Sequence, residues 1–483
     1  MSCALRVLAI CALCVQCYSI RPNSSGADLK SPSPRKYDAH AIELPAGYRV
    51  ELVAKGLTFP TGIAFDAAGV PHVVESGYSY GEKWTAPRLL RLAENGLVQV
   101  VHEGSARSGP WTGIAADERG FVVVEGGALE GGKVLRIAAD GQVTELVRDL
   151  PSFGDHHANG PAIADDGSIY FGIGTATNSG IVGEDNAKFG WLARRPDFHD
   201  IPGKDIVLAG HNFDAKDALH EHGGETRTGA YSPFGKPTSA RQVIPGQVPC
   251  TGAVLKIPAE GGAPELVAWG FRNPFGLAFG PAGVLYVTDN GYDDRGSRPV
   301  WGSGDLLWAV QPGLWYGWPD YSGDKPLTDD EFKPPGAPQP EFLLAEHPNR
   351  PPKPAAILDV HCSADGLDFS RSEAFGHVGD AFIALFGDQS PSTGKLLAPV
   401  GFKVVRVDVA TGMIDEFAAN KGRAVAPGSR NDGGGFERPV AVRFDREGKA
   451  LYVVDFGILT ESKSGSRPVE GTGCVWRITR ARQ

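Results

Sequence analysis

Trp111-Thr-Gly-Ile-Ala115, a turn from Asp117 to Gly120 and Phe121-Val-Val-Val124 make up the stretch that decides the fold. An apolar strand with a central glycine leads into an Asp/Gly turn, and a second apolar strand follows the turn. The 64 glycines and 37 prolines of the 483 residues recur between similar short runs of Val, Ile, Phe and Tyr. The sequence therefore predicts an all-β protein.

Five further copies of this pattern predict the number of repeats. They begin at Pro60, Gly160, Asn273, Ala364 and Arg438. A propeller whose blades share their inner strands but differ in their outer loops gives self-similarity at irregular spacing. Unrelated hairpins in a sandwich are the alternative, but they would not need the same glycine and Asp-Gly positions in every copy. We therefore expect a six-bladed β-propeller with long inter-blade insertions.

Residues 41–480 are assigned to this propeller, which carries two polar insertions. The first, residues 178–250, is rich in Gly, His and Pro, and loops of this length in a compact domain are usually functional or disordered. The second runs from about Asp289 to Asn349 and contains Trp315-Tyr-Gly-Trp-Pro319. Two interpretations of these aromatic side chains stay open, since they either wall a pocket or close the loop against the blade edge.

The first residues of the chain have the pattern of an export signal. Met1 to Tyr18 carry one positive charge, at Arg6, ahead of an apolar run of about a dozen residues, which is too short to span a bilayer. We expect residues 1–20 to be a signal peptide or N-terminal anchor, and residues 21–40, which lack apolar periodicity, to be a flexible linker. The expected location is secreted or periplasmic, with no transmembrane helix beyond this segment.

Charge and motif content exclude several functions. The formal net charge is −10, so the surface should repel polyanions, and nucleic acid is not expected as a partner. The sequence has no phosphate-binding loop, no serine nucleophile elbow and no dinucleotide fingerprint, which argues against nicotinamide chemistry and serine hydrolysis. Outside the leader, Cys250, Cys362 and Cys474 allow at most one disulfide and match no zinc motif, so we expect structural roles for them.

Two segments carry a family resemblance. They are Asp155-His-His-Ala-Asn-Gly160 with Ile169-Tyr-Phe-Gly-Ile-Gly174, and Gly270-Phe-Arg-Asn-Pro-Phe-Gly-Leu-Ala-Phe279 with Asp289-Asn-Gly-Tyr292 and Tyr316-Gly-Trp-Pro319. Together with Glu437-Arg-Pro-Val440, they resemble the soluble quinoprotein glucose/sorbosone dehydrogenases, which are six-bladed propellers dependent on calcium and pyrroloquinoline quinone (PQQ). The likeness covers the chain from about Leu44 to Ile478. It implies a PQQ- and calcium-dependent dehydrogenase that oxidises a sugar or a sugar-derived aldehyde or hemiacetal.

The resemblance also implies which residue removes the substrate proton. Oxidising a sugar hydroxyl needs a base for the O–H proton and a cofactor that accepts hydride, because no side chain accepts hydride. His157 matches the family's base by its spacing to Gly160. His156 stays ambiguous, because neighbouring side chains in a strand point to opposite faces and only one of the pair should face the centre. Asp155 either orients the base or caps a turn.

Cofactor and metal ligands follow from the same resemblance. Arg272 and Asn273 match the pair that lies against the quinone, where a guanidinium stabilises the charge of the reduced form. Arg438 matches an arginine near the cofactor carboxylates. Gly291 and Tyr292 match the turn whose backbone carbonyls bind calcium, a hard cation that prefers oxygen ligands.

Two departures from the family pattern fall on cations. The family has a lysine where this chain reads Leu385-Phe-Gly-Asp388, with Lys395 further on, and it has an Arg-x-Arg pair where this chain reads Phe436-Glu-Arg438. Each missing cation should weaken binding of a tricarboxylate by about 1–3 kcal/mol. A non-catalytic binding module of the same family is therefore one alternative function. A calcium-dependent propeller lactonase is another, and it would need carboxylates or amides from several blades around one cation.

The expected partners follow from the dehydrogenase hypothesis. They are a small-molecule carbohydrate substrate and an external electron acceptor, either a soluble molecule or a cytochrome. Because the chain has no Cys-x-x-Cys-His motif, any haem must belong to a partner.

Overall fold

The repeated strands form the inner strands of six antiparallel sheets, and the predicted all-β, six-bladed propeller is confirmed. They are β3 (Pro60–Phe65), β9 (Trp111–Asp117), β13 (Ala158–Ile163), β21 (Pro274–Phe279), β27 (Ala364–Phe369) and β31 (Pro439–Phe444). Each packs beside the next around a ring, and β31 packs against β3. Six equivalent strands therefore surround one axis.

The computed structural model describes residues 34–79, 83–93, 96–220, 223–388, 399–422, 424–431, 433–462 and 465–481. The predicted signal peptide, residues 1–20, and Lys395 lie outside these ranges. Within them, no helix is long and apolar enough to cross a membrane.

Three further strands complete each blade. They are β4 (Pro71–Glu75), β7 (Arg88–Leu92) and β8 (Val98–Glu103) in blade 1; β10 (Gly120–Glu125), β11 (Gly132–Ile137) and β12 (Val143–Leu150) in blade 2; β14 (Ile169–Ile173), β19 (Ala253–Ile257) and β20 (Glu265–Trp269) in blade 3; β22 (Leu285–Asp289), β23 (Gly304–Ala309) and β26 (Ala356–Val360) in blade 4; β28 (Ala381–Leu385), β29 (Lys403–Asp408) and β30 (Met413–Asn420) in blade 5; and β32 (Ala450–Asp455), β35 (Gly473–Arg480) and β2 (Tyr48–Leu57) in blade 6. β1 (Ile42–Glu43) adds a short edge to β30.

The remaining elements are short and lie in the loops. They are the hairpin strands β5 (Tyr78–Ser79), β6 (Lys83–Trp84), β15 (Ile206–Val207), β16 (Asn212–Lys216), β17 (Glu225–Gly229), β18 (Val243–Ile244), β24 (Tyr321–Ser322), β25 (Lys325–Pro326), β33 (Leu459–Ser462) and β34 (Gly465–Pro468), the helices α1 (Glu184–Lys188) and α2 (Trp191–Arg194), and four 3-10 turns at Ala39–Ala41, Pro281–Gly283, Asp330–Phe332 and Gly428–Asn431.

Chain ends close the ring. β2, from the N-terminal part, is the outer strand of blade 6 and pairs antiparallel with β35, so that Tyr48 lies opposite Arg480. Just upstream, Arg35 is buried and its Nη2 lies 2.5 Å from Oδ2 of Asp455. Residues 34–40 of the predicted linker are thus in contact with blade 6 where the structure describes them.

Glycines allow the inner strands to approach one another at the axis. A Cβ added to Gly113 would lie 2.2 Å from the backbone oxygen of Gly160, and one added to Gly276 would lie 2.3 Å from the backbone oxygen of Asp365. These distances leave no room for a side chain. The repeated glycine is therefore a packing requirement, and it leaves an axial channel of about 40 Å³.

Burial explains the composition of the second strands. Phe121 to Val124 of β10 are all buried, because a neighbouring blade packs against each face of the sheet that contains β10. The predicted structural cysteines are consistent with this core, since Cys250, Cys362 and Cys474 are all buried and unpaired.

The two predicted insertions lie inside blades. The first connects β14 to β19 and carries α1, α2 and the hairpins β15–β18 and β16–β17. The second is divided by β23 into a loop of residues 290–303 and a longer loop of residues 310–355. Both insertions contribute to the site described next.

Candidate active site

Arg272 lies at the centre of the site, just before the inner strand β21. The backbone N–H groups of Arg272 and Asn273 donate to Oδ1 of Asp289 at 3.1 and 2.7 Å, which fixes the start of the strand. The Arg272 guanidinium is buried and donates from Nε to the carbonyl of Asn178 at 3.1 Å. Its Nη2 donates to Oδ1 of Asn178 at 3.0 Å and to Oδ2 of Asp293 at 2.8 Å. Both insertions therefore hold this cation.

Asp293 joins two arginines and a histidine. Its Oδ2 also accepts from Nε of Arg295 at 2.9 Å, and its Oδ1 lies 3.4 Å from Nδ1 of His361. Burial alone would favour a neutral carboxyl here, but the guanidiniums of Arg272 and Arg295 hold the pKa of Asp293 far below its usual range. Asp293 is thus an ionised counter-ion inside the site.

Arg295 extends this network into the first insertion. Its Nη1 lies 2.8 Å from Oδ2 of Asp155 and 2.6 Å from Oδ2 of Asp185. The Asp155 carboxylate also accepts from Nδ2 of Asn186 at 3.0 Å and from Nε1 of Trp191 at 2.7 Å. Asp155 therefore anchors the helices α1 and α2.

His156 is the histidine that the structure places beside Arg272. Its Nδ1 lies 2.9 Å from the carbonyl oxygen of Thr175 and 3.1 Å from Oγ1 of the same residue. A carbonyl only accepts, so Nδ1 carries the hydrogen and Nε2 is left as the acceptor. Burial, and then the Arg272 guanidinium, hold the pKa of His156 well below its usual range, which keeps the ring neutral. A Cβ on Gly174 would lie 2.3 Å from Cβ of His156 and 2.8 Å from Oδ1 of Asn273, so this glycine permits the close packing.

His157 points toward blade 2. A Cβ added to Gly126, directly after β10, would lie 2.8 Å from Cβ of His157. Burial lowers the pKa of His157 to about 4, and the charged groups that act on it are Asp155 and Arg194. The two histidine side chains point to opposite sides of the chain, as expected, but the histidine next to Arg272 is His156 and not His157.

Three asparagine side chains connect blades 3, 4 and 5. Nδ2 of Asn159 donates to Oδ1 of Asn273 at 3.0 Å, and Nδ2 of Asn273 donates to Oδ1 of Asn290 at 2.7 Å. Nδ2 of Asn290 then donates to the carbonyl of Ala364 at 3.0 Å. Asn273 lies next to Arg272 as predicted, but both ends of its amide are engaged within the protein.

The turn predicted to bind calcium is held by neighbouring side chains. The Gly291 N–H donates to Oδ1 of Asp305 at 2.8 Å, and the hydroxyl of the buried Tyr292 donates to the carbonyl of Tyr321 at 3.0 Å. Among the described residues, no group of three or more His, Cys, Asp or Glu side chains is arranged to hold a metal ion. Calcium at Gly291 and Tyr292 stays a prediction.

Arg438 is enclosed by the loop after β28. Its Nη1 donates to the carbonyls of Gly387 at 2.7 Å and Asp388 at 3.2 Å. Its guanidinium carbon lies 5.0 Å from the ring centroids of both Phe386 and Phe402. Arg438 thus stabilises a loop of blade 5, and its side chain is only about 1 % exposed.

Acidic side chains at the ends of the second strands form hydrogen bonds within their own blades. Each accepts a hydrogen bond from a residue at the start of the inner strand in the same blade. The pairs are Glu75 with Thr58 N at 2.7 Å, Glu125 with Trp111 Nε1 at 2.9 Å, Asp289 with Asn273 N at 2.7 Å and Asp455 with Arg438 N at 3.0 Å. Each of these four acids therefore helps to fix the start of the inner strand in its own blade.

The aromatic segment of the second insertion closes its loop. Nε1 of Trp315 donates to the carbonyl of Trp318 at 3.0 Å, and Nε1 of Trp318 donates to the carbonyl of Asn178 at 3.2 Å. The Tyr316 ring stacks on Phe271 with centroids 4.3 Å apart. Tyr316 and Trp318 also line a cavity of about 10 Å³ next to Arg272, which has room for a single water.

Sequence reasoning missed the residues that surround Arg272. Asn178 and Arg295 come from insertions with no repeat pattern, and His361 lies in the turn before β27. His361 has a φ of +60°, a conformation that non-glycine residues rarely adopt. The one available signal was the run Asp293-Asp294-Arg295, but such a run in a loop is more often solvated than buried.

Comparisons with known proteins identify solved structures with the same fold. A scan against protein-family models found no match, and a search of curated proteins found none. The holo form of the pyranose dehydrogenase PQQ domain from Coprinopsis cinerea matches with a TM-score of 0.54 and 18 % identity, over 94 % of this chain and 99 % of that one. The chain shares the fold of sugar dehydrogenases. This agrees with the family that the two signature segments resemble.

Two more solved structures with this fold extend the comparison. An iodide structure of a Trichoderma reesei protein of Carbohydrate-Active Enzymes Family AA12 has a TM-score of 0.54 and 15 % identity, over 93 % of this chain and all of that one. The apo form of the soluble aldose sugar dehydrogenase from Escherichia coli has a TM-score of 0.50 and 16 % identity, over 90 % and 99 %. The shared fold thus includes nearly the whole of each chain.

Proposed function

We propose that the protein is an oxidoreductase that oxidises a hydroxyl or hemiacetal carbon of a small carbohydrate. The observation that carries this proposal is a neutral histidine, His156, with an acceptor nitrogen, held beside the buried Arg272 at the centre of a fold that it shares with sugar dehydrogenases. Such a base can remove an O–H proton near neutral pH.

His156 is assigned as the general base in place of His157. Thr175 fixes the ring through Nδ1, so the substrate proton would pass to Nε2. As the proton leaves, the carbon loses hydride and becomes a carbonyl carbon, and His156 becomes a cation. Burial and the two guanidiniums nearby disfavour that cation.

The hydride acceptor has to be a bound cofactor, and PQQ is the one we propose, because a structural neighbour is the holo form of a PQQ domain. When bound, PQQ would supply an electrophilic quinone carbonyl carbon that can accept hydride. The described residues do not fit it in the arrangement seen. Arg438 is enclosed by carbonyls and phenyl rings, the Asn273 amide is engaged at both ends, and Arg272 is paired with Asp293. We therefore derive no step through the quinone.

Calcium, export and the electron acceptor belong to the same proposal. One neighbour is a calcium structure of the AA12 protein, which supports a role for calcium with the carbonyls of Gly291 and Tyr292 as the candidate ligands. The N-terminal residues support secretion or a periplasmic location. Electrons would pass to a soluble acceptor or to a cytochrome.

A non-catalytic binding module is the second candidate. It is favoured by one observation, namely that all three residues predicted to contact PQQ are already bonded within the protein. The two candidates differ in whether a sugar is turned over.

Dye reduction by the full chain tests the proposal. The purified protein is supplied with PQQ and calcium, and reduction of an artificial redox dye is followed with a panel of aldoses and sorbosone. Sugar-dependent reduction that requires PQQ is expected. A folded protein that binds sugars but never reduces the dye would contradict the proposal and favour the binding module.

A further inference from the structure

We propose that Arg295 is a positioning residue of this site, because its guanidinium fastens helix α1 to the carboxylates that lie beside His156 and Arg272. Its part in the reaction rests on the proposed function, in which His156 is the base. The arrangement itself consists of contacts within this chain and depends on no bound cofactor.

The Arg295 side chain contacts three carboxylates. Its Nε lies 2.9 Å from Oδ2 of Asp293, and its Nη1 lies 2.8 Å from Oδ2 of Asp155 and 2.6 Å from Oδ2 of Asp185. These acids belong to the second insertion, to the chain just before His156 and to helix α1. A planar guanidinium can bridge several carboxylates at once, because its donors point in fixed directions. Arg295 therefore joins three segments that are far apart in the sequence.

Two glycines let helix α1 approach the loop that carries Arg295. A Cβ added to Gly296, which has a φ of +77°, would lie 2.8 Å from Oδ2 of Asp185, and one added to Gly183 would lie 2.8 Å from Oδ1 of the same residue. Phe189 follows α1 directly, and the guanidinium carbon of Arg295 lies 5.0 Å from the centroid of its ring. The loop and the helix are thus closely fitted around this cation.

Two of the bridged carboxylates lie next to residues of the proposed reaction. Asp155 directly precedes His156 in the chain, and Asp293 forms the 2.8 Å salt bridge with Arg272. Because Arg295 holds both carboxylates, a movement of α1 away from the loop would shift His156 relative to Arg272. Arg295 therefore helps to fix the distance between the base and the buried cation.

The charge of Arg295 acts on the base as well. Burial, and then the guanidiniums of Arg272 and Arg295, hold the pKa of His156 well below its usual range. The Thr175 carbonyl and the Asp293 carboxylate act in the opposite direction and do not outweigh them. Since a base has to be neutral to take a proton, this charge keeps His156 ready to react.

Loss of Arg295 should make the His156 ring easier to protonate. It removes one of the two cations that disfavour the imidazolium. It also leaves the carboxylates of Asp155 and Asp185 without the counter-ion that they share. Both changes favour a protonated ring, so they act on His156 in the same direction.

Four variants separate the charge of Arg295 from its bridge. Arg295→Met and Arg295→Gln remove the charge, whereas Arg295→Lys keeps the charge and replaces the planar group by a single ammonium. Arg194→Met is the matched control, because it removes the same charge from the first insertion, where Arg194 acts on His157. All four should fold, since Asp155 keeps its hydrogen bonds to helices α1 and α2.

NMR titration of ring-labelled histidines in the full chain, from about pH 8 to about pH 4, tests the effect of charge. His156→Asn identifies the signal of His156 by its loss. In both charge-free variants, the ratio of protonated to neutral ring at a given pH should rise at least about ten-fold over the wild type, as expected when a nearby like charge is lost. Arg295→Lys and Arg194→Met should titrate like the wild type.

Amide hydrogen exchange in helix α1 tests the bridge. All three Arg295 variants should exchange at least about three-fold faster there than the wild type, because the helix opens more often when it is no longer held to the loop. Arg194→Met should exchange in α1 like the wild type. Arg295→Lys is therefore expected to change the exchange without changing the titration.

An unchanged titration of His156 in a folded charge-free variant overturns the inference, and so does unchanged exchange in α1. Failure of both charge-free variants to fold also overturns it, because Arg295 would then be a residue of the fold. Neither measurement requires turnover, so the inference and the proposed function fail separately. If both measurements change as expected but the wild type oxidises no sugar, Arg295 still positions His156 and the dehydrogenase proposal is wrong.

Discussion

Exchange of His156 for asparagine should remove catalysis while leaving the local structure intact. The Asn Nδ2 group can take the position of the histidine Nδ1 and keep the hydrogen bond to the Thr175 carbonyl, which is 2.9 Å in the wild type. What disappears is the acceptor nitrogen Nε2. His157→Asn is the matched control, because it makes the same change on the adjacent residue that faces blade 2.

The size of the effect follows from the role of the base. A positioned general base contributes about two to four orders of magnitude, so His156→Asn should raise the activation free energy by about 3 to 5 kcal/mol. Both kcat and kcat/KM should fall together, because the interaction is made in the transition state. His157→Asn should keep its rate within about three-fold of the wild type, as expected for a packing residue.

The pH dependence gives a second readout with a defined sign. A base works only when it is neutral, and the pKa of His156 is held well below its usual range by burial and the nearby guanidiniums. Activity should therefore stay level as the pH falls through 6.5, where an ordinary histidine would become protonated and inactive. Dye-linked rates measured from pH 5 to 8 test this. Loss of rate in His157→Asn with a wild-type rate in His156→Asn would refute the assignment.

Three stability predictions follow from buried groups outside the site. Arg35→Met should lower the free energy of unfolding by about 3–5 kcal/mol in urea denaturation, because it leaves the buried Asp455 carboxylate unpaired; an unchanged midpoint would contradict this. Gly113→Ala should lower the Tm sharply, since its Cβ would lie 2.2 Å from a backbone oxygen, while Gly224→Ala, with open space around it, should not. Burial raises the pKa of Asp200 to about 7, so the folded state keeps a proton that the unfolded state loses above about pH 3.9, and the free energy of unfolding should fall as the pH rises toward 7. Asp200→Asn should remove up to about 4 kcal/mol of that fall. An equal pH dependence of stability in both proteins would contradict this.

Local rules were enough to predict the blades. Each inner strand carries its own apolar run, five of the six also carry a glycine, and these signals act within about ten residues of chain. Gly113 could be recognised because a glycine recurs at the axis in five of the six blades, with Ala441 in blade 6. Arg272 and Asn273, which lie just before β21, were singled out by the family resemblance and not by the repeat.

The repeated sequence pattern did not predict which strands close the ring. β2 belongs to blade 6 because its partner β35 is more than 400 residues away, and nothing in the local pattern of Tyr48–Leu57 distinguishes it from an outer strand of blade 1. The burial of Arg35 depends on the same long-range contact with Asp455.

The sequence by itself determined the all-β propeller, its six repeats and the two insertions, because strand patterns and turn residues act locally. The tertiary structure alone decided which histidine faces Arg272, that Arg438 is enclosed by a loop, and that Asp293 and Arg295 enter the site. These features arise because the insertions fold back over the strand ends. They bring together charged side chains that are far apart in the sequence, and each of these side chains pairs with the opposite charge that lies nearest. Pairing of that kind has no period along the chain, so no sequence pattern records it.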